Sequence, residues 1–284
     1  MIDNQTILNV AYLCKMSYNS QEEINSIFLE KNEPFCSLIN KCEKIPTLKE
    51  GSVDDCEVYT VIYDNTLLII FRGTESISDV ISDINIIKDP LIIKNSTRTP
   101  MVHRGFLKQL ESVNKHLENS IFEYIKTNPS GSIITCGHSL GGGIASIAAL
   151  RYTDKFEIPT YCITFGSPRA GDTYFCEKFN ENILLSIRVV DEDDPVSLIP
   201  PPFTYRHVDG VKWIYDGKIL TKTKQCCKWL RFCKNFFMSC LMCCLTSAFD
   251  DHGIDKYIED LENIENFENF ENLSQNIEKL DIEI

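Results

Sequence analysis

Ser132-Ile133-Ile134-Thr135-Cys136-Gly137-His138-Ser139-Leu140-Gly141-Gly142-Gly143-Ile144-Ala145 is the stretch on which the reading of this chain turns. Ser132–Cys136 has the apolar, β-branched character of a buried strand. From Leu140 the residues are small and apolar, as in a helix packed on a sheet. Between them, Gly137 to Gly141 spell G-x-S-x-G, so the pattern falls on a strand-to-helix turn. Such a turn strains the backbone of its central serine and lifts the hydroxyl out of the sheet. Glycines two before and two after remove the Cβ atoms that would collide there. The helix that follows aims backbone N–H groups at the same point. Ser139 is therefore a candidate nucleophile. A phosphate-binding loop is disfavoured, because neither G-K-[ST] nor G-x-G-x-x-G is present. The bland alternative is a glycine-rich turn with an inert serine, and the rest of the chain must decide.

Outward from this turn, strand and helix signals alternate. Residues 5–18 carry Ile7, Leu8, Ala11, Tyr12 and Leu13 at helical spacing, and residues 30–56 read as irregular. Residues 57–63 and 66–71 read as strands around a turn at Asn65. Residues 106–126 form an amphipathic pattern through Phe106, Leu110, Val113, Leu117, Ile121 and Ile125. Strand runs follow at 160–165 and 184–190, with a short helix around Tyr174–Phe179 between them and an edge strand at Val211–Tyr215. This alternation predicts an α/β fold, a mostly parallel central sheet with helices on both faces. From Tyr257 on, apolar residues recur every three or four positions with acids between them, the pattern of an acidic amphipathic tail.

With 284 residues the chain can bury one large core. Its formal net charge is −13, which disfavours nucleic acid as a partner. The charge is uneven: Lys212–Lys234 holds seven basic residues and one acid, and Asp250–Ile284 twelve acids and two lysines. The N-terminus has no basic start and no long apolar run, so the expectation is an intracellular, cytoplasmic protein. Six of the thirteen cysteines lie between Cys226 and Cys244, and reduced thiols fit that compartment. Residues 235–249 carry no charge, yet fifteen residues are short for a membrane span. Preceded by Lys228, Arg231 and Lys234, the stretch 225–249 reads equally as a surface-lying, S-acylated membrane helix or as a buried helix. The cysteines lack the histidine pairing of zinc sites, so no metal is expected.

A serine hydroxyl needs an imidazole to take its proton, and the imidazole needs a carboxylate to fix its tautomer. There are five histidines: His103, His116, His138, His207 and His252. The first three precede or adjoin the serine, and His138 within the turn reads as structural. The order Ser, acid, His leaves His207 and His252. His252 is favoured by its polar turn after an apolar run. Asp191, Glu192, Asp193 and Asp194 follow a strand, at the end where such sheets build sites, and composition does not separate them. The residue after the nucleophile, Leu140, supplies one oxyanion N–H.

Several motifs together resemble the class 3 lipases, the fungal-lipase-like α/β-hydrolases, over roughly residues 5–255. Phe71-Arg72-Gly73-Thr74 looks like the family's oxyanion loop. Asp83 matches its W-x-x-D stretch, with Val80 in the tryptophan's place. Val102-His103-Arg104-Gly105-Phe106, Gly137–Gly142, Thr164–Asp172 and Tyr205-Arg206-His207-Val208 follow in the family's order. The resemblance implies Ser139, Asp194 and His252 as catalytic residues, Thr74 beside Leu140 in the oxyanion hole, and a lid within 75–101. With the composition and periodicity read above, the expected organisation is one domain over 1–255 that includes a Cys-rich apolar insertion at 225–249, then an acidic amphipathic helical tail at 256–284. The resemblance also implies hydrolysis of glycerolipid acyl esters without a cofactor, with lipid contact through the lid, while the composition of the Cys-rich stretch 225–249 suggests peripheral membrane contact there. Phospholipase, carboxylesterase or thioesterase activity, or a silent lipid-binding scaffold, are the alternatives.

Overall fold

The computed structural model describes residues 2–30, 39–46, 56–63, 65–74, 86–94, 96–191, 194–215, 218–220 and 252–264. Residues 75–85 of the expected lid, Glu192, Asp193, the Cys-rich stretch 225–249, Asp250, Asp251 and the tail from 265 lie outside them.

Ten strands are described: β1 (Ile39–Ile45), β2 (Val58–Tyr63), β3 (Thr66–Phe71), β4 (Lys88–Pro90), β5 (Met101–His103), β6 (Ser132–His138), β7 (Thr160–Phe165), β8 (Leu185–Asp191), β9 (Val211–Tyr215) and β10 (Lys218–Leu220). The helices are α1 (Asn4–Met16), α2 (Gln21–Glu30), α3 (Arg104–Thr127), α4 (Leu140–Phe156), α5 (Thr173–Asn182) and α6 (Ile254–Asn263). Eight strands form one sheet in the order β1-β2-β3-β6-β7-β8-β9-β10, and β4 and β5 make a separate ribbon. The pairs from β3 to β9 are parallel, and the outer pairs β1–β2, β2–β3 and β9–β10 are antiparallel. The expected α/β-hydrolase architecture is the observed one.

Period-two alternation sorts the strand residues between two cores. Leu67, Ile69 and Phe71 pack with α3, α4 and α5 on one face. Leu68 and Ile70, with Ile134, Cys136, Ile187 and Val189, pack against α1 and α6 on the other. Helix α3 shows why its sequence forms a covering helix. Leu110, Val113, Leu117 and Ile121 are fully buried on one stripe, each worth roughly 1.5–3 kcal/mol relative to exposure. His103 caps this helix, its Nδ1 accepting the Phe106 N–H at 3.3 Å.

Three expectations are corrected. Residues 30–56 are not wholly irregular, since Ile39–Ile45 pairs antiparallel with β2. This edge strand exposes Glu43 and Lys44, and such charged, solvent-facing edges lack the apolar alternation that announces a strand. Val211–Tyr215 is not the edge, because β10 pairs outside it. The expected boundary at 255/256 falls inside α6, whose Tyr257, Ile258 and Leu261 are buried in the same core as α1. Among the described residues no helix is long and apolar enough to cross a membrane.

Candidate active site

Register brings the candidate residues to one end of the sheet. Phe71 pairs with Gly137, His138 with Phe165, and Phe165 with Val189. The loops that follow β3, β6, β7 and β8 therefore leave side by side, at the carboxyl ends of parallel strands.

Ser139 sits between β6 and α4 with φ 56° and ψ −131°. A non-glycine residue there is strained, by about 1–3 kcal/mol, and the surrounding structure must hold it. It is held by its own N–H, which donates to the Phe165 carbonyl at 2.9 Å, and by its carbonyl, which accepts the Gly142 N–H at 2.9 Å. The turn also needs room. A methyl group at Gly141 would lie 2.1 Å from the Phe71 carbonyl oxygen. Leu140 opens α4, so its N–H belongs to the helix's unpaired first turn. The Phe71–Thr74 loop runs alongside: a methyl group at Gly73 would stand 3.3 Å from Ser139 Cβ. Thr74 is exposed and borders a cleft of about 330 Å³ with His138, His252, Tyr18 and Lys15.

Asp194 and His252, separated by 58 positions, meet in the interior. His252 Nδ1 lies 2.8 Å from Asp194 Oδ2, and both side chains are buried. The other oxygen, Oδ1, accepts the Val196 N–H at 2.8 Å. An ionised carboxylate can only accept, so the His252 proton belongs on Nδ1 and Nε2 is left bare. That Nε2 and the Ser139 Oγ are both buried and without a hydrogen-bond partner. A bare imidazole nitrogen and an unengaged serine hydroxyl are the groups that proton abstraction and nucleophilic attack require, and the His252 ring lies 4.7 Å, centroid to centroid, from that of His138, the residue before Ser139.

The remaining histidines have structural tasks. His138 bridges two elements: Nε2 donates to the His252 carbonyl at 2.6 Å, and Nδ1 accepts the Tyr18 hydroxyl at 2.9 Å. Burial, and then the nearby His252, keep its pKa well below 6.5, so it stays neutral. His207 donates from Nε2 to the Ser197 carbonyl at 2.7 Å, and burial beside Arg188 and Arg169 depresses it likewise. It is a packed, hydrogen-bonded histidine beneath the acid loop. Arg169 donates to the carbonyls of Leu198 and Pro200, pinning the chain just after Asp194.

Sequence reasoning missed two hydroxyls, those of Tyr18 and Tyr257. Tyr257 donates to Asp194 Oδ2 at 2.6 Å and accepts the Asp191 N–H at 3.0 Å. Burial, then the Asp194 charge, push its own ionisation well up. The available signal was an aromatic with a polar tip on a helix's apolar stripe, five residues after the base candidate.

Comparison with known proteins gives the same family that the motifs suggested. Residues 68–204 match the family described as Lipase (class 3). A secreted mono- and diacylglycerol lipase of Fusarium solani is 35% identical over 119 residues, covering 42% of this chain and 35% of that protein. A Rhizomucor miehei lipase is 31% identical over 169 residues, covering 58% of this chain and 45% of that one. The solved structure of Rhizomucor miehei triacylglyceride lipase aligns with a TM-score of 0.64 and 25% identity, over 77% of this chain and 84% of that one. The matched regions thus span less than half the length of these two sequence relatives.

Proposed function

We propose that this chain, whose residues 68–204 carry the class 3 lipase signature, is a serine hydrolase of glycerolipid acyl esters. The observation that carries the reading is the buried Asp194–His252 pair at 2.8 Å, which leaves a bare Nε2 in the same interior as the unengaged Ser139 hydroxyl. Mono- and diacylglycerol and triacylglyceride esters, the substrates named for its relatives, support the substrate class.

In this reading Ser139 Oγ attacks the ester carbonyl carbon while His252 Nε2 takes its proton. The Leu140 N–H and the Thr74 backbone hold the oxyanion, each donor worth about 3 kcal/mol of barrier. His252 returns the proton to the leaving alcohol, and an acyl-serine remains. Water, deprotonated by the same Nε2, attacks the acyl carbon, and the fatty acid leaves as Ser139 regains its proton. Asp194 stays ionised and stabilises the imidazolium.

The test compares the full chain with Ser139→Ala on short- and long-chain glycerol esters, below and above their aggregation thresholds, with a phospholipid in parallel. Cleavage by the parent and a fall of about 10⁶ in kcat for the variant are expected. A folded parent that turns over none of them would favour a silent lipid-binding protein. Equal activity of both forms would place the site elsewhere.

A further inference from the structure

The structure assigns Tyr257 a role that the triad alone does not supply: it is the positioning residue that fixes the ionised Asp194 and, through it, His252. This inference rests on the serine-hydrolase reading above. The Asp191 N–H can only donate, so at 3.0 Å the Tyr257 oxygen must be its acceptor. The one hydroxyl proton then has to point at Asp194 Oδ2, 2.6 Å away. Oδ2 also receives His252 Nδ1–H, and Oδ1 receives the Val196 N–H. The carboxylate therefore has an acceptor-only set of three donors, a set that a protonated acid would break. Burial keeps that set free of competing water, because Asp194, His252 and Tyr257 are each 1% exposed or less.

The same hydroxyl ties α6 to two points of one segment more than 60 positions away. It links the end of β8 through Asp191, the acid loop through Asp194, and α6, which begins two residues after His252. The ring is fixed independently of the hydroxyl, edge-on to Phe165 with centroids 6.2 Å apart and to His138 at 6.0 Å. Helix α6 is itself clamped to α1 by Tyr12 to Glu262 and by Lys15 to Asp255 at 2.6 Å. Removing the hydroxyl alone should leave the helix in place and release the carboxylate. Two effects follow. The acid–base pair loses orientation, which lowers kcat. The carboxylate loses a donor that was drawing off its charge, so it holds a proton on the imidazole more strongly, and the acid limb of the pH profile moves to higher pH.

The test is Tyr257→Phe in the full chain, normalised to active sites by fluorophosphonate labelling of Ser139, with Asp194→Asn and the double variant alongside. For Tyr257→Phe we expect kcat lower by about tenfold, KM within about twofold, and the acid limb of kcat/KM raised by about half a pH unit. In the Asp194→Asn background the second change should add less than about twofold, since Tyr257 acts through Asp194. An unmoved acid limb, or effects that multiply in the double variant, overturns the proposal while the hydrolase reading stands. If Tyr257→Phe lowers the labelled fraction, the limb of the surviving fraction still decides. A parent chain neither labelled nor active would sink the hydrolase reading and this role with it.

Discussion

The two halves of the candidate site are built by opposite means. The nucleophile half is local: Gly137 to Gly142 hold Ser139 at φ 56° between a strand and a helix adjacent in sequence. The acid–base half is assembled from Asp194, His252 and Tyr257, spread over 63 positions and joined by buried hydrogen bonds at 2.6–2.8 Å. A local device is specified by backbone sterics, through glycines that nothing else replaces. A long-range device is specified by partner satisfaction, because each buried polar group there would be costly alone. The glycines of the first should therefore fail by losing fold, and the carboxylate, imidazole and hydroxyl of the second by losing function within an intact fold.

The largest expected effect tests the second half. Asp194→Asn keeps the shape, but its amide no longer guarantees the Nδ1–H tautomer that leaves His252 Nε2 bare. Under the proposed mechanism kcat should fall about 10⁴-fold, as loss of the equivalent carboxylate does elsewhere. Thermal unfolding should stay within a few degrees of the parent. A collapse of Tm together with kcat would make Asp194 a fold determinant and erase the contrast.

A pair of matched glycine substitutions sharpens it. At Gly141 a methyl would meet the Phe71 carbonyl at 2.1 Å, main chain that cannot step aside without disturbing β3. We expect Gly141→Ala to lose about 3 kcal/mol of stability, the upper end for overpacking. Gly166 has φ +56°, and its methyl would meet Asp194 Oδ2 at 2.5 Å and His252 Nδ1 at 3.0 Å. Gly166→Ala should lose only about 1–2 kcal/mol for the left-handed backbone. Displacing the reacting groups by about an ångström should cost it about 10²-fold in kcat. Urea denaturation and kinetics on the same preparations separate the two, and equal profiles would break the comparison.

The halves also differ in how far the amino-acid sequence exposed them. The turn at Ser139 was legible because strand, glycines and helix are contiguous, and strands 160–165 and 66–71 were legible from apolar runs that the observed β7 and β3 match residue for residue. Candidate partners in the second half emerged by chain order and family likeness, and the structure brings Asp194 and His252 together. Tyr257 was invisible as a polar partner, since in an amphipathic pattern its ring counts only as an apolar position. Strand β1 was missed for the reverse reason, its charges hiding a paired edge. What escapes is a residue whose task is set by a distant neighbour and which neither chain order nor family likeness marks.

The smallest predicted effect separates the two halves by pH. His138 belongs to the nucleophile turn and His207 lies beneath the acid loop, and burial lowers both from an ordinary 6.5. Each is neutral in the folded chain and free to take a proton when unfolded. Their stabilising contribution is therefore complete above pH 6.5 and is lost as pH falls towards the lowered folded value. Between pH 6.5 and 5.5 each should remove about 1 kcal/mol of unfolding free energy. Urea titrations at those two pH values measure the slope, and His207→Gln should reduce it by about half of the two-histidine total. His138→Gln should reduce the slope as much, but it also loses the two bonds that tie Tyr18 to the His252 carbonyl. Only His138→Gln should then lower kcat as well, because His207 touches neither reacting group. A kcat loss in His207→Gln equal to that in His138→Gln would mean that the acid loop transmits strain as directly as the nucleophile turn does.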